Sequence, residues 1–394
     1  MTHAQEAPTV ALRTRSSALD GLRGIAILGV LLFHTGHLPG GFLGVDLFFA
    51  LSGYLITELL LREIDATGTV SLVGFWGRRI RRLLPALATM LVGTTVLVWL
   101  VASPDVVRTT LADGPWVQLN LVNWHLLAES AGYWDRFGAA RVFEHLWSIA
   151  VEEQFYLVWP VILLVIVRCG RNLDRRVATI ALLASVVSLA LMIALVIPGD
   201  PSRVYTGTDT RAFSLLLGAV VATRSARTLL AKLAAPWVGA VLVSLIGVLW
   251  WFADGVNSRW LFTGGLFAHS LAAAVLIGLC ARAPHTVLAK ILAWQPLRWL
   301  GLISYSLYLW HWPVSALLPA QWSGWPRTLL VCTLSIGLAA LSKYLVEDPI
   351  RFRAKWARGR SGVFAFTAVM AGLAVLWLVL PAPAPITVDI SGLG

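Results

Sequence analysis

The chain has 394 residues, 58% of them hydrophobic and only 13% charged, with 19 tryptophans. Soluble domains do not combine so few charges with so much apolar surface, and apolar runs long enough to cross a bilayer recur along the chain, so the fold class is an all-α, polytopic helical membrane bundle. The net charge of +11 does not indicate nucleic acid. Most Lys and Arg residues sit in short loops that alternate with poorly charged ones, and no exposed basic reader accompanies them.

Cys169, Cys280 and Cys332 are scattered without metal-ligand spacing, so neither a disulfide framework nor a metal site is expected. The first apolar run carries Asp20 and Arg23 and lacks a small-residue cleavage site, which argues against a signal peptide. Spans are predicted near 20–36, 42–62, 83–102, 145–168, 175–197, 211–223, 234–253, 260–281, 297–318, 326–346 and 363–381. The arginine-rich loops, such as Arg62 to Arg82 and Arg168 to Arg176, belong on the cytosolic side. That places the N-terminus inside and, after eleven spans, the C-terminus outside. The expected division is a cytosolic tail over 1–19, a ten-span bundle over 20–357, a linker and eleventh span over 358–381, and an extracytoplasmic tail over 382–394. Asp105 to Leu127 begins and ends outside in this scheme, and so is predicted to be a non-spanning or re-entrant cover over the outer mouth. No internal repeat is evident.

In the first span Arg23 and His34 are eleven residues apart. On a helix they fall within about 20° of one face and about 16 Å apart along the axis. Ionisable residues on a membrane helix usually mark a pathway or a reaction site; the bland alternative is an arginine reaching the headgroups and a histidine at the opposite interface. Asp46 opens the second span, either orienting the imidazole of His34 or capping its own helix. The segment WGRRIRRLLP carries Arg78, Arg79, Arg81 and Arg82 on what reads as a short cytosolic helix before Pro85. It is either a topology determinant or a docking site for phosphates, which guanidinium forks suit. His145, Ser148 and Glu152 share a face of the fourth span, with Glu152 and Glu153 well inside the membrane, where paired carboxylates are hard to explain as structure alone. Asp209 and Arg211 are expected at the outer mouth as a local ion pair. Tyr305 and His311 lie in the outer half of the ninth span, and Glu347 to Arg351 reads as a helix stop with its own ion pair. A polar outer chamber above a basic inner entrance follows, and a phosphate-rich acyl carrier such as coenzyme A suits it.

These motifs occur together and in order: Arg23-x10-His34, GVDLFFALSGYLI at 44–56, RRIRRLLPA, HLWSIAVEEQFYLVWP at 145–160, TRAFSLLLGA at 210–219, SYSLYLWHWP at 304–313 and the EDPIR ending. Over residues 19 to about 352 the chain resembles the acyltransferase-3 family of integral-membrane O-acyltransferases, the OafA-like enzymes. The resemblance implies transfer of an acyl group, usually acetyl from acetyl-CoA, to a hydroxyl of a cell-envelope carbohydrate or glycolipid, in the bacterial plasma (inner) membrane. It implies His34 as the catalytic residue, Glu152 as a second essential acid, Arg23 as a cofactor-side residue, and Arg78, Arg79, Arg81 and Arg82 as part of the CoA-facing surface. Larger relatives add an extracytoplasmic SGNH-type domain after the eleventh span. The expectation here is therefore a truncated form or a separate partner.

The reaction expected from these residues has His34 as general base on the acceptor hydroxyl, aided by Asp46. His145, Ser148, Arg211, Tyr305 and His311 are the candidate acceptor-binding residues, the cosubstrate is acetyl-CoA or another acyl-CoA, and no metal is expected. The rival expectation is a non-enzymatic transporter or flippase of a glycolipid or acyl donor, which explains a polar chamber but not the spacing of Arg23 and His34.

Overall fold

The computed structural model describes residues 17–130, 132–134, 141–170, 172–197, 199–232, 235–283, 285–319 and 321–383. Among them no strand is present, only an isolated bridge between Ile197 and Asp200. The helices in chain order are α1 Ser17–His34, α2 Gly44–Thr67, α3 Leu72–Val101, α4 Pro104–Gln118, α5 Val122–Ala128, α6 Trp147–Arg168, α7 Leu173–Leu195, α8 Ser202–Thr206, α9 Thr208–Ala222, α10 Arg224–Lys232, α11 Pro236–Phe252, α12 Leu266–Arg282, α13 Val287–Leu292, α14 Gln295–Leu317, α15 Gly324–Leu341 and α16 Gly359–Val379. The predicted tails fall largely outside the described residues.

Among the described residues, eight helical stretches are long and apolar enough to cross a membrane, or nine if α9 and α10 count as one span despite an 81° bend between them. The protein is thus a polytopic membrane protein. Every predicted span coincides with a helix, but α9 and α11 are short for a crossing and α14 is lowered in hydropathy by Ser304, Ser306, His311 and its ring residues. Residues 105–127 become α4 and α5, of 15 and 7 residues, and neither is among the crossing helices. Their connection turns at Asn120, whose φ of 56° is left-handed. Its polar groups are satisfied by neighbours: Gln154 Nε2 donates to the Asn120 carbonyl at 2.8 Å and to Asn123 Oδ1 at 3.0 Å.

Two proline expectations need correction. Pro85 does not end a short basic helix; α3 runs unbroken through it for 30 residues. The missing N–H forfeits one backbone bond, which a long helix held by its neighbours tolerates. Nor does Pro349 stop the chain, which passes through Ser342–Glu347 and Pro349–Arg353 with widened helical turns. Glu347 there pairs with Lys343 at 3.0 Å, and Asp348 pairs with the same lysine at 2.6 Å.

The helix pair that matters most for the site is α1 against α14. The two run parallel, since Gly24 meets Leu297 near their starts and His34 meets His311 near their ends. Their backbones touch through glycine: a Cβ at Gly301 would overlap the Asp20 carbonyl, and one at Gly24 would overlap that of Leu297. Small residues permit such contact in a membrane, where packing replaces the hydrophobic effect as the force between helices.

Candidate active site

Two Trp-Pro steps prepare the site. A proline within a helix leaves the carbonyl four residues earlier without its donor, and in a membrane that carbonyl must be satisfied by protein. In α6, Pro160 vacates the Tyr156 carbonyl, and Trp76 Nε1 of α3 donates to it at 3.1 Å. In α14, Pro313 vacates the Leu309 carbonyl, and His145 Nε2 donates to it at 3.2 Å. These bonds tie α3 to α6, and the start of α6 to α14, at the two levels where the polar side chains collect.

At the upper level three histidines meet. His34 Nδ1 and His311 Nε2 are 3.1 Å apart, and the rings of His145 and His311 meet edge to face at 5.3 Å. His311 Nδ1 lies 2.7 Å from the Tyr308 carbonyl. Trp312 packs on His34 with ring centres 4.7 Å apart, and its own Nε1 donates to the Arg141 carbonyl at 2.9 Å. Below the histidines, Tyr308 Oη is 2.6 Å from Ser148 Oγ and donates to the His145 carbonyl at 2.9 Å. His145, Ser148 and His311 are buried, whereas His34 is half-buried.

The lower level holds the carboxylate. Glu152 accepts from Ser52 Oγ at 3.0 Å and from Tyr156 Oη at 3.1 Å. Arg23 Nε donates to Ser304 Oγ at 3.1 Å. Arg23 and His34 of α1 therefore both engage α14, through Ser304 and His311, which lie seven residues apart and share a face. Tyr305 donates to the Leu83 carbonyl at 3.1 Å.

Two cavities lead to this level from the arginine end. The wider, of about 510 Å³, is lined by Arg23, Arg62, Arg78, Arg79, Arg81 and Arg82 among others, and its size falls in the usual small-molecule range. The narrower, of about 70 Å³, is lined by Ser52, Glu152, Tyr156, Ser304, Tyr305, Ser148 and Tyr308. Arg23, Leu55, Arg79 and Arg82 line both, so the two adjoin. Three of the four α3 arginines are held differently: Arg78 by Glu63 at 2.9 Å, Arg79 over the rings of Phe75 and Tyr156, and Arg81 through its Nε, which donates to the Gly77 carbonyl at 3.2 Å. His34 lines neither cavity. It stands one layer beyond Ser148 and Tyr308, on the side away from the arginines.

Asp46 and Arg211 form a separate unit, and both expectations for them are corrected. Asp46 does not orient His34. Its Oδ1 accepts from Arg211 Nη2 at 2.9 Å, Ser214 Oγ at 2.9 Å and Ser270 Oγ at 3.2 Å, joining α2, α9 and α12. Arg211 is fully buried against Tyr205, Phe49 and Trp147, not open at a mouth. A buried ion cannot stand unpaired in the membrane, and Asp46 is the carboxylate within reach. The expected partner of Arg211, Asp209, pairs with Arg203 at 2.7 Å instead.

The non-crossing pair α4 and α5 carries its own polar group. Asp113, His125 and Glu129 are close enough to share a cation, but Arg141 already donates to Asp113 at 2.7 Å and to Glu129 at 2.6 Å. Ser52, Tyr156 and Ser304 were not singled out from sequence as partners of Glu152 and Arg23. Only Tyr156 carried a readable signal, its i+4 spacing from Glu152.

A match to the acyltransferase-3 family, described as an acyltransferase domain, covers residues 16–344. The chain is 40% identical over 349 residues to YrhL of Bacillus subtilis (strain 168), covering 84% of this chain and 54% of that protein. It is 35% identical over 348 residues to the peptidoglycan O-acetyltransferase OatA of Listeria monocytogenes, covering 85% of this chain and 55% of that protein. It is 35% identical over 347 residues to the O-acetyltransferase OatA of Staphylococcus aureus (strain NCTC 8325 / PS 47), covering 84% of this chain and 57% of that protein. The chain thus spans about half the length of the curated relatives it matches. No solved structure matches it. On the extent of the family match and the identity to these relatives, the chain belongs to the acyltransferase-3 family.

Proposed function

We propose that this chain is a membrane O-acetyltransferase that takes acetyl from cytosolic acetyl-CoA and delivers it to a hydroxyl of a cell-envelope carbohydrate, the peptidoglycan of its relatives being the first candidate. The observation that carries the reading is the pair of adjoining cavities that line up from the arginine mouth to Glu152, with Ser148 and Tyr308 in the wall nearest His34. Topology completes it: eleven spans in a bacterial plasma membrane, the arginine end in the cytosol, and α4 and α5 over the outer end.

In this reading Arg82, Arg81 and Arg79 meet the CoA phosphates, and Arg23 sits where the cavity narrows. The thioester enters the narrow part beside Glu152, which Ser52 and Tyr156 hold in place. The acetyl carbon then has to pass the Ser148–Tyr308 layer to reach His34. His34 removes the proton of the acceptor hydroxyl as its oxygen attacks the acetyl carbon, the C–S bond breaks, and the proton goes to the departing CoA thiolate. An extracytoplasmic SGNH-type partner or further domain would stand on the acceptor side of this transfer, as the architecture of larger family members implies.

The test is transfer of label from [acetyl-14C]acetyl-CoA by purified protein in liposomes containing lipid-linked peptidoglycan precursor. His34→Ala is expected to abolish label on the acceptor while leaving thermal unfolding unchanged. Label transfer by that variant at the native rate would refute the assignment.

A further inference from the structure

The hydrogen bonds around His311 assign the tautomers of two rings. A carbonyl oxygen can only accept, so the 2.7 Å contact of His311 Nδ1 with the Tyr308 carbonyl puts a proton on Nδ1. His311 is fully buried, and among the described residues no carboxylate is hydrogen-bonded to it, so a second proton would leave a buried cation without a bonded partner. Its Nε2 is then a lone pair. That nitrogen lies 3.1 Å from His34 Nδ1, which must therefore be the donor. The proton of a neutral His34 is thus on Nδ1, and the Nε2 lone pair of His34 is left to act.

We propose that His311 is the positioning residue of His34. It accepts the His34 Nδ1 proton, holds the ring with its Nε2 free for the acceptor hydroxyl, and does so without touching either substrate. The inference rests on the reading of His34 as the general base. It replaces the carboxylate usual in that position with a neutral imidazole, and it moves His311 from the acceptor-binding set to the support of the base. The support is itself supported. His145 packs edge-on against the His311 ring at 5.3 Å, and the proline-vacated Leu309 carbonyl fixes His145 through Nε2. Trp312 also packs on the His34 ring, with ring centres 4.7 Å apart.

The experiment compares wild type, His34→Ala, His311→Leu and His311→Gln in the liposome assay, with 15N spectra of selectively labelled histidine. In the wild type, His34 is expected in the Nδ1–H form. His311→Leu is expected to lower kcat about 100-fold, within the range a general base contributes, with KM for acetyl-CoA and for the acceptor within about twofold. It should also release His34 into a mixture of tautomers. His311→Gln, whose side-chain oxygen can accept the same proton, is expected to recover about tenfold of that loss. A wild-type His34 carrying its proton on Nε2 overturns the inference, and does so even if the leucine variant fails to fold. So does a leucine variant with native kcat, or one whose defect lies wholly in acceptor KM. Activity surviving in His34→Ala would instead remove the functional reading beneath it.

Discussion

Arg78 and Arg82 are four residues apart on one helix and are chemically identical, but the structure gives them different work. Arg78 is paired with Glu63 at 2.9 Å, whereas Arg82 lines both cavities. A charge-assisted hydrogen bond contributes about 1.5–3 kcal/mol, so Arg82→Ala should raise KM for acetyl-CoA roughly tenfold or more with kcat little changed, and Arg78→Ala should raise it about twofold. Steady-state kinetics against acetyl-CoA decides this, and equal effects would mean that the cluster acts only as a diffuse positive field. The pair Asp46 and Arg211 belongs to the same scale but to stability. Asp46→Asn or Arg211→Met leaves a buried charge unpaired, which costs about 3–5 kcal/mol, whereas replacing both by apolar residues should cost much less. Thermal unfolding of the two single variants and the double variant in detergent would reveal that non-additivity.

At the scale of elements, the prediction concerns α4 and α5 as the proposed cover of the histidine end. It is locked by Asp113, His125, Glu129 and Arg141, and through the Arg141 carbonyl to Trp312 on His34. Burial pushes the Asp113 carboxyl from 3.8 up to about 6, despite the pull of Arg141 and His125. The sign follows. With the cover closed Asp113 keeps its proton up to about pH 6, whereas exposed it would lose it near pH 4. Closure by this group is therefore favoured at low pH and weakens as pH rises from about 4 to 6. Glu129 works oppositely: its hydrogen bond to Arg141 holds its carboxyl below the usual range, and that contribution is lost as the pH falls through the lowered value. Hydrogen exchange of α4 amides, corrected for intrinsic rates, should accelerate between pH 4 and 6 in wild type and stay flat in Asp113→Asn. The same slope in both would show that another group controls the cover.

For the whole molecule, the prediction concerns sidedness. Cys169 is exposed just after α6, at the end opposite the histidines, and Ser323 is exposed before α15 near His37. With the arginines in the cytosol, a membrane-impermeant maleimide should label Cys169 only after cells are opened, and Ser323→Cys in intact spheroplasts. The reverse pattern would invert the topology and, with it, the direction of transfer.

Much of this was legible one residue at a time. Apolar length located the helices, and the 3.6-residue period put Arg23 and His34 on one face and Glu152 on the face of α6 that carries Ser148, because those properties are local. Partner choice was not legible. Asp46 meets Arg211 across 165 positions, and His34 meets His311 across 277, pairings that depend on which helix backbones approach closely enough. The fate of the carbonyls vacated by Pro160 and Pro313 was equally hidden. The sequence alone showed that donors would be needed, but only packing chose Trp76 and His145 to supply them. Local chemistry determined the groups present, and the tertiary structure decided their partners, since inside a membrane each polar atom must find a protein neighbour and only the assembled bundle defines who that is.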